Sequence, residues 1–110
     1  MKDDLTYLHH ICDAVETIFE YLEGVDLPQF QSEKMRVDAV VRELMMIGEA
    51  ASHISNSFKE KHPIVQWKKI RGMRNFLVHE YFGVNVKVVW DTCRNSLPKL
   101  HKTIKAEFLF

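Results

Sequence analysis

The segment Arg71–Tyr81 carries the polar side chains best suited to chemistry. Within two helical turns it holds Arg74, Asn75, His79 and Tyr81. An imidazole with a pKa near neutrality can accept and donate protons. A guanidinium can hold a phosphate group and neutralise charge that develops on it. Without any metal ion, these two groups would suffice for attack of an RNA 2′-hydroxyl on the adjacent phosphodiester.

The spacing of these residues decides which of them can meet. A helix turns about 100° per residue, so Asn75 and His79 share one face, and Arg74 and Tyr81 share another. Arg74 and His79 are about 140° apart around the axis, so they converge only if the arginine wraps toward a helix end. Gly83 predicts such an end near Tyr81. The same pair also fits an exposed arginine and a histidine that caps a helix end.

Three further positions, Asn75, Tyr81 and Glu49, each allow more than one interpretation. Asn75 can orient the His79 ring or simply be solvated. Tyr81 can be a phosphate ligand, a modification site or a packed aromatic residue. Glu49 can hydrogen-bond across to the motif helix or lie exposed on the far side of its own helix. Gly72 is unfavourable in a helix by about 1 kcal/mol relative to alanine, which suggests that a backbone or ligand approaches closely there.

Apolar residues recur at spacings of three and four along most of the chain, which predicts an all-α protein. We predict helices over about 3–23 and 33–58, the second capped by Ser32, with a loop over 24–31 between them. A third helix enters at Pro63 and runs into the motif. A fourth is capped by Asn85, with a kink or break at Pro98. The predicted fold is an antiparallel bundle of four main helices, or five if Pro98 breaks the last, forming one domain over residues 1–110.

The charged residues are divided unevenly along a chain with zero net charge. Residues 1–58 contain 11 acidic and 4 basic side chains, and residues 59–110 contain 11 basic and 4 acidic ones. The basic half holds the motif, preceded by Lys68, Lys69 and Arg71. A positive field there suits a polyanion such as RNA, with these three residues as contacts. The alternative is that acidic helices pack against basic ones and the charges cancel.

Cysteine and histidine usage does not predict a metal site. Residues His9, His10, Cys12, Cys93 and His101 could group on paper, but no complete set has zinc-like spacing. The two cysteines are expected to be reduced and partly buried. We predict neither a metal nor a cofactor. The acidic N-terminus lacks a signal-peptide core and no apolar run is long enough to span a membrane, so a cytoplasmic location is expected.

A composite pattern along the chain resembles the HepT-type toxins of the HEPN superfamily. The similarity covers nearly the whole sequence and is carried by Ile47–Ala50, Pro63, Trp67, Ile70, Gly72–Asn75, His79–Asn85, Trp90, Leu97 and Pro98.

This resemblance implies a small all-α homodimer in which two copies of the Arg-x4-His motif face each other across a cleft. It implies a metal-independent ribonuclease with Arg74 and His79 as catalytic residues, Asn75 as a supporting residue and Glu49 as a candidate second supporting position. The implied partner is an antitoxin, a nucleotidyltransferase of the minimal MNT type, which silences the toxin by transferring AMP to Tyr81.

Two further classes of function stand beside this expectation. One is a non-catalytic dimeric helical module that binds a nucleotide or RNA and docks a nucleotidyltransferase. The other is a purely structural helical subunit.

Overall fold

The computed structural model describes residues 4–79 and 85–108, with side chains for residues 4–73 and 85–107. The helices are α1 (Asp4–Leu22), α2 (Leu27–Ser32), α3 (Lys34–Ala51), α4 (Asn56–Lys61), α5 (Trp67–His79), α6 (Val86–Asp91) and α7 (Leu97–Phe108), with a π-helical turn at Thr92–Ser96 between the last two. The prediction of an all-α fold is confirmed. None of the helices within the described ranges is long and apolar enough to cross a membrane.

Helix α3 lies at the centre of the bundle and packs against α1 on one side and α5 on the other. Helix α7 packs against α1, and the short α2 contacts both α3 and α6. Among the described residues, the largest fully buried side chains come from α1, α2, α3, the π-helical turn and α7: Ile11, Val15, Ile18, Phe30, Val40, Ile47, Cys93, Leu97, Leu100 and Ile104. Full burial of one such side chain contributes about 1.5–3 kcal/mol. The helix that carries the motif is therefore held against the best-buried element of the fold.

The loop predicted over 24–31 is partly wrong, because its second half forms α2. The carboxylate of Asp26 accepts a hydrogen bond from the Gln29 backbone N–H at 2.9 Å and caps this helix. Phe30 is fully buried and packs 5.4 Å from the Trp90 ring, which holds the helix on the core. Ser32 does not cap α3 as predicted; its hydroxyl donates to the Gln29 carbonyl, and Glu33 occupies the cap position.

The single helix predicted over 33–58 is also wrong, since it is divided into α3 and α4. The Ser52 hydroxyl donates to a backbone carbonyl at the end of α3 at 2.6 Å. Ser55 then begins α4 by accepting a hydrogen bond from the Phe58 N–H. Ser55 also donates its backbone N–H and its hydroxyl to the Asp4 carboxylate, at 2.8 and 2.6 Å. Local serine bonds of this kind compete with helix continuation.

The C-terminal helices are capped where predicted but distorted in an unexpected place. Asn85 caps α6 through its side-chain oxygen, which accepts from the N–H groups of Lys87 and Val88 at 2.9 and 3.3 Å. The chain stays helical past Pro98 without a break. The irregularity is the π-helical turn just before it, where the Leu97 N–H bonds to the Thr92 carbonyl five residues back. Pro98 has no N–H to donate, so it interrupts the regular backbone hydrogen bonds of the helix. The π-helical turn lies next to this interruption.

Candidate functional site

Helix α5 carries Arg74, Asn75 and His79 on one continuous stretch of helical backbone. Their side chains, and the whole of Tyr81, lie outside the described residues, so the predicted convergence of these groups stays a prediction. The helix begins at Trp67, four residues later than predicted from Pro63. Trp67 is buried, and its indole N–H donates to the His62 carbonyl at 3.1 Å, which fixes the first turn of the helix.

The first half of α5 presents positive charge to solvent. Lys68, Lys69 and Arg71 are all exposed. Burial lowers the pKa of Lys59 from its ordinary value, and the nearby positive charge of Arg71 lowers it further. Lys59 of α4 therefore lies near the cations of α5, and the negative charge of Asp4 partly offsets the effect of Arg71. Because Lys68, Lys69 and Arg71 are exposed, this surface can attract a polyanion.

A cleft of about 240 Å³ lies between the start of α5 and the π-helical turn. Its apolar lining includes Val65, Ile70 and Met73, and its polar lining consists of Gln66, Lys69, Thr92, Asn95, Ser96 and Lys99. Amide, hydroxyl and ammonium groups around an apolar lining suit a ligand with a flat apolar part and an anionic part. Met73 directly precedes Arg74 in the chain, so the cleft reaches the edge of the motif. No motif or apolar spacing in the sequence indicated that Asn95 and Ser96 would contribute to this cleft.

Gly72 leaves an open space on α5. A Cβ atom built on it would have no heavy atom within 4 Å among the described residues outside its own helix and chain neighbours. The expectation that some part of this chain approaches Gly72 closely is therefore not met by the described structure.

Glu49 lies on α3 and is about half exposed. Its carboxylate is 3.3 Å from Nε2 of His53, and the His53 ring stacks on Tyr7 with 4.8 Å between ring centroids. His53 is exposed. His62 is partly buried and packs against the Phe58 ring, with 4.5 Å between ring centroids.

A second cluster of polar groups joins α1 to α7. The thiol of Cys12 is 3.3 Å from a Glu16 carboxylate oxygen, and the same oxygen is 2.9 Å from Nε2 of His101. Burial, helped by the bond to Glu16, raises the pKa of Cys12 to about 11. The hydrogen bond from His101 lowers the pKa of Glu16 to about 2. From the sequence, Cys12 and His101 could be grouped only among possible ligands, and Glu16 was not included. Its spacing of four residues from Cys12 could have indicated that both side chains lie on one face of a helix.

The other candidates from that list lie elsewhere. His9 and His10 are exposed on α1. Cys93 is a buried free thiol, and burial raises its pKa to about 12. Both cysteines are therefore protonated at neutral pH, and Cys93 is in an apolar setting that does not favour reaction.

The all-α bundle carries an Arg-x4-His motif on its α5 helix, which is the combination expected of a HEPN-type protein. A family model for ribonuclease HepT-like proteins matches residues 11–107. The chain is 41% identical to a protein of Caldanaerobacter subterraneus named "Putative RNase TTE0752", over 96% of this chain and 94% of that one. It is 40% identical to "Probable ribonuclease HepT" of Thermococcus cleftensis, over 86% of each chain. No solved structure matches.

The chain belongs to the ribonuclease HepT-like family. The resemblance found in the sequence is thereby confirmed over nearly the full length. Membership supports a ribonuclease type of activity.

Proposed function

We propose that this protein is the toxin of a toxin–antitoxin pair and cleaves RNA without a metal ion. The observation that carries the proposal is an intact Arg-x4-His motif on one helix of a ribonuclease HepT-like chain. Arg74 would hold the scissile phosphate, and Asn75 would orient His79. The exposed side chains of Lys68, Lys69 and Arg71 would bind neighbouring phosphates.

The proposed reaction uses proton transfer at His79. The imidazole takes the proton of the ribose 2′-hydroxyl while the 2′-oxygen attacks phosphorus. The bond from phosphorus to the 5′-oxygen breaks, leaving a 2′,3′-cyclic phosphate and a 5′-hydroxyl end. The leaving oxygen takes its proton from a second imidazole in the protonated form, which the facing copy in a homodimer would supply. Arg74 neutralises the charge that builds on the phosphoryl oxygens.

The proposed partner is a nucleotidyltransferase antitoxin of the MNT type, acting with this protein in the cytoplasm. Transfer of AMP to Tyr81 would place a negative phosphate on the helix face that it shares with Arg74. That phosphate would pair with the guanidinium and repel incoming RNA, which silences the enzyme. The resemblance to HepT-type toxins supports this part of the proposal.

The test is an RNA cleavage assay in excess EDTA with purified protein. Wild-type protein should cut, and His79→Ala should not. His9→Ala, which removes an exposed histidine from α1, is the matched control and should cut normally. Arg74→Lys should be strongly impaired, because an ammonium cannot reproduce the planar two-point grip of a guanidinium on phosphate. Equal cleavage by wild type and His79→Ala would remove the catalytic assignment.

A non-catalytic RNA- or nucleotide-binding module is the second candidate. The cleft beside α5 favours it, since two lysines, two amides and two hydroxyl groups are enough for binding without any reaction. Tight binding of single-stranded RNA by wild-type protein, with no cleavage in the absence of the partner, would select this alternative.

A further inference from the structure

The cluster that joins α1 to α7 has the composition of a metal site. Cys12 and Glu16 lie four residues apart on α1, so both project toward the same side of that helix. His101 comes from α7, which packs against α1. Their ligand atoms, one sulfur, one carboxylate oxygen and one imidazole nitrogen, all lie within 4.8 Å of one another. None of these residues lies on α5.

The distances suit a single small ion at the centre of the three atoms. In tetrahedral zinc sites the bonds are about 2.0–2.3 Å, which places neighbouring ligand atoms about 3.3–3.6 Å apart. The thiol sulfur and the Glu16 oxygen are 3.3 Å apart, and that oxygen is 2.9 Å from the His101 nitrogen. That oxygen–nitrogen distance is shorter than the tetrahedral spacing, so an ion entering the site would have to separate these two atoms slightly. Thiolate, imidazole and carboxylate together are the ligand types that zinc takes.

The surroundings of the cluster also suit a bound ion. Cys12 is buried, while Glu16 and His101 are partly exposed, so an ion can enter from solvent and keep a water molecule as its fourth ligand. Phe19 packs edge-on against the His101 ring at 5.5 Å between centroids and restricts its orientation. The Lys105 ammonium is 3.4 Å from the Glu16 oxygen. Binding would displace this exposed lysine from the carboxylate and release the thiol proton of Cys12 to solvent.

We propose that Cys12, Glu16 and His101 bind one zinc-type divalent cation, which clamps α1 to α7. The site lies away from α5, and its proposal does not depend on the ribonuclease assignment. A cation held by two residues of one helix and one of another crosslinks them in the folded state only, so its binding stabilises the fold.

The test uses cobalt(II) as a spectroscopic probe and zinc(II) as competitor. Protein freed of metal with EDTA is dialysed into buffer with a phosphine reductant, which adds no competing thiol. Cobalt should bind at one equivalent per chain and give the near-ultraviolet charge-transfer band of a thiolate–cobalt bond. Zinc should abolish the band and raise the thermal unfolding midpoint at fixed protein concentration.

Three variants decide the assignment. Cys12→Ser should lose the band, and His101→Gln should bind cobalt at least tenfold more weakly. Cys93→Ser, which alters the other buried thiol, is the matched control and should keep both the band and the zinc-induced rise in midpoint. Absence of the band in wild type, its survival in Cys12→Ser, or unchanged affinity in His101→Gln would each overturn the proposal. His101 is only partly buried, so that variant remains informative if Cys12→Ser fails to fold.

Discussion

The Asp4 carboxylate links the first turn of α1 to the junction between α3 and α4, and its removal should measurably destabilise the fold. It accepts two hydrogen bonds from Ser55, one from the backbone N–H and one from the hydroxyl. A hydrogen bond to a charged group contributes about 1.5–3 kcal/mol when well sheltered. Asp4 is only partly buried, so we expect Asp4→Ala to lower the free energy of unfolding by about 2 kcal/mol for the two bonds together.

Ser55→Ala removes a different subset of these interactions. It loses the hydroxyl bond to Asp4 and also the cap of α4, where the hydroxyl accepts the Phe58 N–H. The loss of a serine cap costs about 1 kcal/mol. We therefore expect Ser55→Ala to destabilise by about 2 kcal/mol as well, and the double variant by about 3 kcal/mol. The shortfall of about 1 kcal/mol against additivity measures the bond that both single variants remove.

Urea unfolding followed by circular dichroism, at one protein concentration for all variants, measures these differences. The double-mutant cycle also cancels any interaction of Asp4 with the α1 helix dipole, since that term is lost with Asp4 in both backgrounds. Asp13→Ala, at an exposed position of the same helix, is the control and should change stability by less than about 0.5 kcal/mol. A change of that small size in Asp4→Ala, or full additivity in the cycle, would refute the proposed link.

Further expected outcomes concern the cleft, the caps and the buried thiol. Gly72→Ala should raise the unfolding free energy by about 0.5–1 kcal/mol in urea, because the added Cβ meets no other described residue; a simultaneous loss of RNA cleavage would show that the activity requires the open space at this position. Asn85→Ala should lower the free energy of unfolding by about 1 kcal/mol through loss of the α6 cap. An unchanged midpoint of urea unfolding would contradict the capping role. If the cleft binds RNA, the logarithm of the RNA association constant should fall less steeply with the logarithm of the salt concentration in Lys99→Ala, with a slope smaller in magnitude by roughly 1. Lys102→Ala should leave that slope unchanged. Cys93 should react with a thiol reagent at pH 8 only after denaturant is added, because burial holds its pKa at about 12; rapid reaction of the native protein would exclude that burial.

Helix faces were predictable from the sequence because apolar spacing fixes them, but helix ends were less so. Ile54 and Phe58 continue the apolar pattern of α3, and both are buried, yet they belong to the segment after the break. One continuous helix and two shorter ones can bury the same residues. The choice depends on Ser55, whose partner Asp4 is 51 residues away in the chain. A contact between residues so far apart in the chain is not indicated by the local sequence pattern around either of them.

The candidate site shows the same limit. Side chains that follow one another on α5, such as Lys68, Lys69 and Arg71, could be grouped directly from their positions. The other wall of the cleft comes from the π-helical turn, whose existence no apolar spacing indicates. The link from Glu16 to His101 likewise depends on how α1 and α7 pack, so it becomes visible only in three dimensions.

The π-helical turn at Thr92–Ser96 also determines the direction, around the helix axis, in which the later side chains point. Deleting one residue from this turn would restore regular α-helix and rotate all later side chains by about 100° relative to α6. Lys99 would leave the cleft, and His101 would swing away from Glu16 in the same movement. The number of residues in this turn therefore determines both the position of Lys99 in the cleft and the contact between His101 and Glu16. A one-residue insertion or deletion there should be far more disruptive than most single substitutions.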